Sequence, residues 1–234
     1  MRIGMGLHLT QQRRLPYPTV AVLPDDAVGA LGDGVYFGGR VYRKRWVGNR
    51  EGMGDGILFP VNLFPSVGDF DLSVRLRFDN PINSSFLALA SGDPWGASSN
   101  FAFTIPTPTL PAFNVRGGSP VYGATAPLSS WVTMRVTGVS GVIKIYQDGV
   151  ETASGSTAGQ TIAANTGTRC LWSPDGSLGQ SIKACDYRLV GPGGTITARL
   201  DEGAGTTITN STGANGTLTD ASPANFWYAA WVPE

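Results

Sequence analysis

The chain has 234 residues, with 17 Lys and Arg against 17 Asp and Glu, so its formal net charge is zero. This balance excludes a global basic field that would attract nucleic acid or an anionic membrane. The 32 glycines and 16 prolines make up more than a fifth of the chain, about twice their usual share, which predicts many short strands and few helices. A chain of this length can bury a sizeable core without metals or disulfides as staples.

The first 30 residues differ from the rest in their mixture of arginines, glycines and prolines, a composition that favours an extended arm. Met1–Thr10 is too short and too rich in glycine for the apolar region of a signal peptide, and no run of about 18 apolar residues predicts a membrane span. We therefore expect an N-terminal arm over 1–30 and one domain over 31–234, folded in the cytoplasm without a membrane anchor. The candidate assembly contacts of the arm are Arg2, Leu7, Leu9, Arg13 and Arg14.

Gly32–Arg50 predicts a β-hairpin around Gly38-Gly39. Its second half is basic and aromatic, with Arg43, Arg45 and Trp46 close together in sequence. Such a cluster is suited to stacking on nucleic-acid or anionic-glycan groups and neutralising them. The alternative is that the long cationic side chains cover an edge strand and protect it from aggregation.

The middle of the chain contains short runs that alternate apolar and polar residues. Phe70–Phe78 (FDLSVRLRF) places five apolar residues on one face, the pattern of a strand with one buried side. A strand over Phe86–Ala90 is expected to end at the turn Ser91–Pro94. Further strands are predicted at 101–105 and 112–116.

Trp131–Gly155 carries the clearest hairpin signals. Apolar residues alternate with polar ones after Trp131, and we predict a turn over Gly138–Gly141. The alternation resumes at Val142 and stops at Asp148-Gly149, where Asp-Gly supplies the positive φ angles of a type I′ turn.

Towards the C-terminus, strands are predicted at 170–172, 182–190, 195–200 and 225–232, and the last two flank a polar segment rich in Gly, Thr and Asn. No helical stripe of useful length is present. About a dozen short strands at regular spacing predict an all-β, antiparallel sandwich.

Three phrases resemble the concanavalin A-like lectin/glucanase family, which includes laminin-G-like domains. The first, SSWVTMRVT followed by GVIKIYQDGVETASGS, resembles that family's Trp-strand, turn and apolar-Tyr-x-Asp-Gly hairpin. FDLSVRLRF is similar to its core strand, and ARLDEGAGTTITNSTGANGTL at 198–218 is similar to its LDEGSGTT phrase. The resemblance implies a jelly-roll β-sandwich. The hairpin matches are Trp131, Val136, Tyr146, Asp148 and Gly149.

The sequence departs from the family in one respect. The Asp-Glu-Gly-x-Gly phrase opens many such domains, but here Asp201–Gly205 lies near the end. A permuted order of strands would account for this position, since a jelly roll brings its two termini onto neighbouring strands.

Catalytic groups are scarce. The single histidine, His8, lies in the predicted arm, so a Ser/His/Asp or Cys/His arrangement within the sandwich is excluded. Glucanases of the resembled family use two glutamates close together on one strand. The four glutamates of this chain are all distant from one another in sequence, so we expect no enzymatic activity. They are Glu51, Glu151, Glu202 and Glu234.

Metals and disulfides are also not expected. Cys170 and Cys185 lack zinc-site spacing, and we interpret both as reduced core residues, with pairing across neighbouring strands as the alternative. Calcium could be held by loop carboxylates, but no dense Asp-x-Asp-x-Asp loop exists, so no metal or cofactor is predicted. The candidate calcium ligands are Asp55, Asp69 and Asp71, or Asp201 with Asn210.

Glycan recognition needs an aromatic platform beside polar groups. Trp95 is the main candidate because it lies in a predicted loop with Asp93 and Asn100, and Tyr122 and Trp172 are second choices. The alternative is that Trp95 caps the core or packs on a neighbouring subunit. Three other tryptophans fall in strand patterns and are assigned to the core or an interface: Trp131, Trp227 and Trp231.

The opening MRIGMGLHLTQQRR is similar to the Gly/Leu/Arg openings of structural proteins of tailed bacteriophages. This likeness implies a non-enzymatic virion protein, either a capsid decoration or a component of tail attachment, assembled in the host cytoplasm and anchored by its arm. Its partners would be other virion proteins or copies of itself in a homo-oligomer, and a host-surface glycan. The alternative is a free-standing carbohydrate-binding module of lectin type.

Overall fold

The computed structural model describes residues 23, 27–50, 56–66, 68–79, 87–93, 101–105, 112–115, 121–156, 166–172, 182–219 and 226–234. At residues 49–50, 87–89, 92–93, 101–102, 105, 112–115 and 172 the description covers the backbone alone.

Strands dominate the described part of the chain. The strands are β1 (Gly34–Phe37), β2 (Arg40–Arg50), β3 (Gly56–Phe59), β4 (Phe70–Phe78), β5 (Leu87–Asp93), β6 (Phe101–Ile105), β7 (Ala112–Val115), β8 (Val121–Tyr122), β9 (Trp131–Val139), β10 (Val142–Gln147), β11 (Val150–Ser156), β12 (Gly167–Trp172), β13 (Ile182–Gly191), β14 (Gly194–Ala198), β15 (Thr207–Ile208), β16 (Gly216–Thr219) and β17 (Trp227–Pro233). Within the described ranges, no helix is long and apolar enough to cross a membrane.

The strands pair antiparallel in two sheets. Sheet A has the order β1-β2-β13-β4-β9-β10-β11, with β14 also on β13 and β17 also on β2. Sheet B has the order β15-β16-β3-β12-β5-β6-β7-β8. The predicted all-β class and antiparallel jelly-roll sandwich are confirmed.

A single large apolar core lies between the sheets. In β4 the apolar residues at alternate positions face this core, and the polar ones between them face outward, as the sequence pattern predicts. Sheet B contributes Ile57, Phe59, Phe103 and Cys170 to the same core. The two inner faces therefore interlock as in other sandwiches, where alternate residues of each strand are buried.

Two-residue turns join four hairpins of sheet A, and the β13–β14 turn is Pro192-Gly193. Asp148 and Gly149 have φ angles of 50° and 81°, so the type I′ turn predicted there is confirmed, and Gly38-Gly39 closes the β1–β2 hairpin. The predicted turn over Gly138–Gly141 is too long, because only Ser140 and Gly141 lie outside the strands. Gly138 belongs to β9, where it is the cross-strand partner of Phe70. The Phe70 ring covers this position so closely that a Cβ would lie 2.1 Å from it, so only glycine fits there.

Two further sequence predictions need correction. The turn expected at Ser91–Pro94 is wrong at its start, because β5 continues to Asp93 through pairs with β12. The polar segment after residue 200 contains β15 and β16, which the alternation did not reveal. Each buries few residues, Ile208 in one and Gly216 and Leu218 in the other, so neither run shows enough apolar character to predict a strand.

The two ends of the described chain lie on neighbouring strands, because β17 pairs with β2 from Trp227 to Pro233. The segment before β1 packs on this pair: the Trp231 indole N–H donates to the Ala27 carbonyl at 3.2 Å, and buried Leu23 belongs to the same apolar cluster. The rest of the predicted arm lies outside the described residues, and the arm and domain boundaries remain predictions.

Candidate functional site

The outer face of sheet A, the side turned away from the core, concentrates charge. Alternation along its strands places more than half of the chain's 17 Lys and Arg on this face, where they outnumber the carboxylates. The cations are Arg43, Arg45, Arg75, Arg77, Arg135, Lys144, Lys183, Arg188 and Arg199, and the acids are Asp71, Asp79, Glu151, Asp186, Asp201 and Glu234. A chain with no net charge thus presents one basic surface.

A cleft of about 280 Å³ opens on this face. It lies where strands exchange partners: β2 leaves β1 after Arg43 and joins β13 at Gly48, while β13 passes from β2 to β14. Four arginines line it together with two acids and the end of β17. The lining residues are Arg43, Arg45, Arg75, Asp186, Arg199, Val232, Pro233 and Glu234.

A β-bulge in β13 aims Asp186 into the cleft. The register against β4 shifts between Cys185 and Arg188, and Asp186 takes a φ angle of 53°, a left-handed conformation that aspartate tolerates better than most residues. Its carboxylate lies 2.7 Å from Arg45 Nη2. The bulge thereby redirects a side chain, as bulges at ligand sites often do.

Arg45 is the most enclosed cation of the cleft, with 17% of its side chain exposed. Its Nε and Nη2 atoms are buried without a well-oriented hydrogen-bond acceptor, although Asp186 is within ion-pair distance. Burial alone would lower the pKa of Arg45, but nearby Cys185 and Asp186 raise it above the usual arginine value. The guanidinium is therefore permanently charged, and Asp186 is its carboxylate partner.

Cys185 contacts Arg45 from the buried side, and its thiol is unreactive. Burial raises the pKa of its thiol to about 12, so the neutral form prevails at physiological pH and the sulfur is a poor nucleophile. Cys185 therefore supplies no nucleophile to the cleft, whose lining residues offer cationic hydrogen-bond donors and two carboxylates.

The other three arginines are held by weaker or more exposed partners. Arg43 pairs with Glu234 at 2.5 Å, with about half of each side chain exposed. Arg75 donates to the Pro233 carbonyl, and Arg199 pairs with Asp201 at 3.0 Å while remaining 70% exposed. Arg75 also lies 3.8 Å from the Asp186 carboxylate. Each of the four arginines therefore has a carboxylate within ion-pair distance, but the arginines outnumber the two carboxylates that line the cleft.

An exposed aromatic residue borders the cleft. Tyr36 is 76% exposed and lies opposite Val41, two residues before Arg43, while Arg43 itself lies opposite Gly34. Tyr36 and Arg43 are therefore diagonal cross-strand neighbours, close enough for long side chains to act on one ligand. Gly34 has no side chain to fill the space between them.

The basic-aromatic patch predicted from the sequence is divided between two faces. Arg43 and Arg45 line the cleft, but Trp46 points to the inner side, where its ring packs so closely on Gly203 that a Cβ would lie 2.5 Å from it. The edge-strand alternative is wrong, because β2 pairs with β17 along one side and with β1 and β13 along the other.

The candidate glycan-binding residues fall at two ends of sheet B. Asp93 ends β5 opposite Gly167, and Trp95 and Asn100, in the connection to β6, lie outside the described residues. Trp172 lies at the other end of β12, roughly 17 Å from the Asp93 end at 3.3 Å per residue. Tyr122 is in the same cross-strand row as Trp172, four strands away, or roughly 19 Å, and is 52% exposed. The side chains of Asp93 and Trp172 are not described.

The remaining candidates have structural partners. Asp69 accepts a hydrogen bond from the Ser140 amide, and Asp71 pairs with Arg135 and Arg188. Among the described residues, no group of three or more His, Cys, Asp or Glu side chains could hold a metal ion; Asp55 lies outside them. Both cysteines are buried and free, and three tryptophans assigned to the core or an interface are buried: Trp131, Trp227 and Trp231.

Sequence reasoning missed several cleft residues. Arg75 was recognisable as part of the polar face of FDLSVRLRF, but nothing local indicates that Asp186, Arg199 and Glu234 meet it. Their convergence depends on a bulge and on partner exchange between distant strands. Tyr36 falls within the predicted hairpin, and only its register with Arg43 shows that the two lie side by side.

Several solved structures superpose on part of this chain. A candidate carbohydrate-binding protein from Bacteroides ovatus superposes with a TM-score of 0.60 at 14% identity, over 81% of this chain and 61% of that one. Domain 4 of the arabinanase AbnA from Geobacillus stearothermophilus, solved with arabinotriose, gives 0.42 at 18% identity over 57% of this chain and 65% of that one. A Trypanosoma rangeli sialidase gives 0.46 at 13% identity over 69% and 29%.

At 14% identity, the likeness to the Bacteroides ovatus protein shows the fold alone, a lectin-like β-sandwich. This chain spans less than two thirds of each of these structures. No protein-family model matches the sequence, and no curated protein matches it.

Proposed function

We propose that this chain is a non-catalytic carbohydrate-binding module that holds its glycan at the arginine-lined cleft of sheet A. The observation that carries the proposal is the convergence of four arginines on a cleft beside the exposed ring of Tyr36. Sugar sites combine an aromatic platform with a few convergent polar groups, and both are present here. The fold shared with the Bacteroides ovatus protein supports the same function.

The size of the cleft fits this function. At about 280 Å³ it lies near the small end of the range for ligand pockets. It therefore accommodates one sugar ring, and a longer glycan would extend from it across the exposed surface near Tyr36. Recognition would then be concentrated in one residue of the glycan.

A glycan array with the full chain tests the function, and a pair of tyrosine variants tests the location. We expect binding to a subset of glycans, and Tyr36→Ala should weaken it about tenfold because a stacking platform is lost. Tyr122→Ala is the matched control, since Tyr122 is also an exposed strand tyrosine but lies on sheet B. An array without any bound glycan would refute the function, and loss with Tyr122→Ala alone would move the site to sheet B.

The Trp95 loop remains an alternative location for the same activity. Its test is Trp95→Ala on the array: unchanged binding removes the loop from the site, and lost binding with an unchanged Tyr36→Ala variant would assign the ligand to it.

The virion role is a separate proposal about where this module works, and it is supported by the resemblance of the N-terminal sequence alone. Deletion of residues 1–22, which retains buried Leu23, should leave the sandwich folded and abolish incorporation into particles. Particles that incorporate the truncated chain normally would contradict this role. Assembly with copies of itself is tested by sedimentation of the full chain.

A further inference from the structure

Glu234 occupies the cleft as a carboxylate that belongs to the protein itself. Its Oε1 atom accepts from Arg43 Nε at 2.5 Å, and the Arg43 Nη1 atom donates to the Gly32 carbonyl at 3.1 Å. The backbone fixes this end of β17, because the Glu234 amide donates to the Val41 carbonyl at 2.8 Å. The cleft therefore already binds one carboxylate through a guanidinium group, and this contact indicates the chemistry it selects.

The ion pairs that Glu234 and Asp186 form in the cleft differ in how easily they open. Arg43 and Glu234 are each about half exposed, and ion pairs this open contribute little to stability. Arg45 and Asp186 are more enclosed, at 17% and 36% exposed, and Asp186 is further fixed by its amide, which donates to the Arg199 carbonyl at 3.1 Å. An incoming anion would displace Glu234 and leave Asp186 in place.

We propose that the cleft binds the carboxylate of an acidic sugar, and that Glu234 is the resident carboxylate which this ligand displaces. This inference rests on the proposed carbohydrate-binding function and adds the ligand class and a competing group. Arg43 and Arg45 lie two residues apart on one strand face and both line the cleft. Arg43 would bind the incoming carboxylate directly once Glu234 is displaced, and the enclosed Arg45 would add its positive charge beside it. Arginine favours carboxylate acceptors because its planar group donates two parallel hydrogen bonds.

An acidic sugar fits the surroundings better than an acidic peptide. A sugar ring anchored by its carboxylate would place its apolar side near Tyr36, the diagonal neighbour of Arg43. The volume of about 280 Å³ suits a single ring. Tyr36 stacking is not required for a peptide carboxylate, so the two ligand types respond differently to the same variants.

Calorimetric or NMR titration with glucuronate and glucose tests the ligand class, because these sugars share a ring and differ in the carboxylate. Glucuronate should bind about tenfold or more tightly than glucose. Glu234→Gln should strengthen glucuronate binding several-fold and leave glucose binding unchanged. The control is Glu151→Gln, which removes an acid of similar exposure that pairs with Lys144 on the same face, outside the cleft; its glucuronate affinity should stay within about twofold of the wild type.

Equal binding of glucose and glucuronate would overturn the inference and leave the carbohydrate-binding function standing, whereas a glycan array without any bound carbohydrate refutes both. A Glu234→Gln variant that binds glucuronate no better than the wild type would also overturn it. So would tetraglutamate binding more tightly than glucuronate, which would assign the cleft to acidic peptides.

Discussion

On the outer face of sheet A, outside the cleft, one carboxylate stabilises two closely spaced cations. Asp79 accepts from Arg77 Nε at 2.8 Å and also pairs with Lys183. Only 6% and 5% of these two cationic side chains are exposed. The cations also lie over aromatic rings, Arg77 over Trp131 and Lys183 over Tyr228. One carboxylate thus stabilises two enclosed cations, which would otherwise repel each other.

Replacing that carboxylate should be costly. Asp79→Asn removes the carboxylate that these two enclosed cations share, and we expect a loss of about 3 kcal/mol in the free energy of unfolding. Urea denaturation at neutral pH measures it. The control is Asp71→Asn, whose partners Arg135 and Arg188 are about half exposed and whose loss should be about 1 kcal/mol or less. Equal losses would contradict the account.

The same carboxylate makes stability depend on pH. Burial raises the pKa of Asp79, but the hydrogen bonds and charges of Lys183 and Arg77 outweigh it, so the pKa lies below its ordinary value of 3.8. Its contribution is therefore fully present above the pKa of an unfolded aspartate and is lost as the pH falls through the lowered folded value. The stability difference between the wild type and Asp79→Asn should shrink in acid, as urea titrations at a series of pH values would show. A difference that persists at the lowest pH would contradict this assignment.

At the scale of elements, the loop Asp201–Gly205 supports β2 and β17 from the inner side. Gly203 has a φ angle of 74° and packs against Trp46, while Gly205 accepts a hydrogen bond from the Trp227 indole at 3.2 Å. β2 carries Arg43 and Arg45, and Glu234 directly follows β17, so the loop supports the cleft from the inner side. The Asp-Glu-Gly-x-Gly phrase is therefore a structural element of the sandwich.

A pair of glycine variants separates backbone strain from packing. Gly203→Ala introduces strain at positive φ and a contact at 2.5 Å with Trp46, whereas Gly149→Ala introduces strain alone, with φ 81° and nothing within 4 Å. We expect Gly149→Ala to cost about 1 kcal/mol and Gly203→Ala about 1–3 kcal/mol more, because of overpacking. Urea unfolding of both variants measures the difference, and equal losses would show that Trp46 moves aside freely.

The limits of sequence reasoning also follow from the elements. Period-2 alternation predicted β4 and β9 because each has one fully buried face, and Asp148-Gly149 predicted its turn because few other pairs adopt two positive φ angles. β15 and β16 were missed because they bury few residues. The sequence predicts only part of the cleft. Arg43 and Arg45 are recognisable as neighbours on one strand, but Asp186 joins them through a bulge whose position depends on the register with β4.

At the scale of the whole molecule, the charges are unevenly distributed over the surface. Its formal net charge is zero, yet the outer face of sheet A carries an excess of cations. Overall charge therefore predicts little about what this surface attracts, because a ligand within a Debye length responds to the local field. The neutral composition argued against polyanions as a class, but it leaves room for one acidic group bound at one place.

Glycan binding should accordingly depend on salt. Raising the salt concentration from about 0.05 M to 0.5 M shortens the Debye length, and we expect the affinity for an acidic glycan to fall several-fold while the affinity for a neutral glycan stays nearly constant. Titrations at the two salt concentrations measure this. Equal salt dependence for both glycans would argue against recognition by charge.

One comparison tests the central claim, that the arginine-lined cleft is the glycan site: the affinities of wild type, Arg43→Gln and Arg188→Gln for the glycan that the array selects. Arg43 and Arg188 are each 50% exposed, and each pairs with one carboxylate on the same sheet face. Of these two arginines, only Arg43 lines the cleft. We predict a loss of about tenfold or more for Arg43→Gln and of less than about twofold for Arg188→Gln. Equal losses for the two variants, or full affinity in Arg43→Gln, would contradict the account.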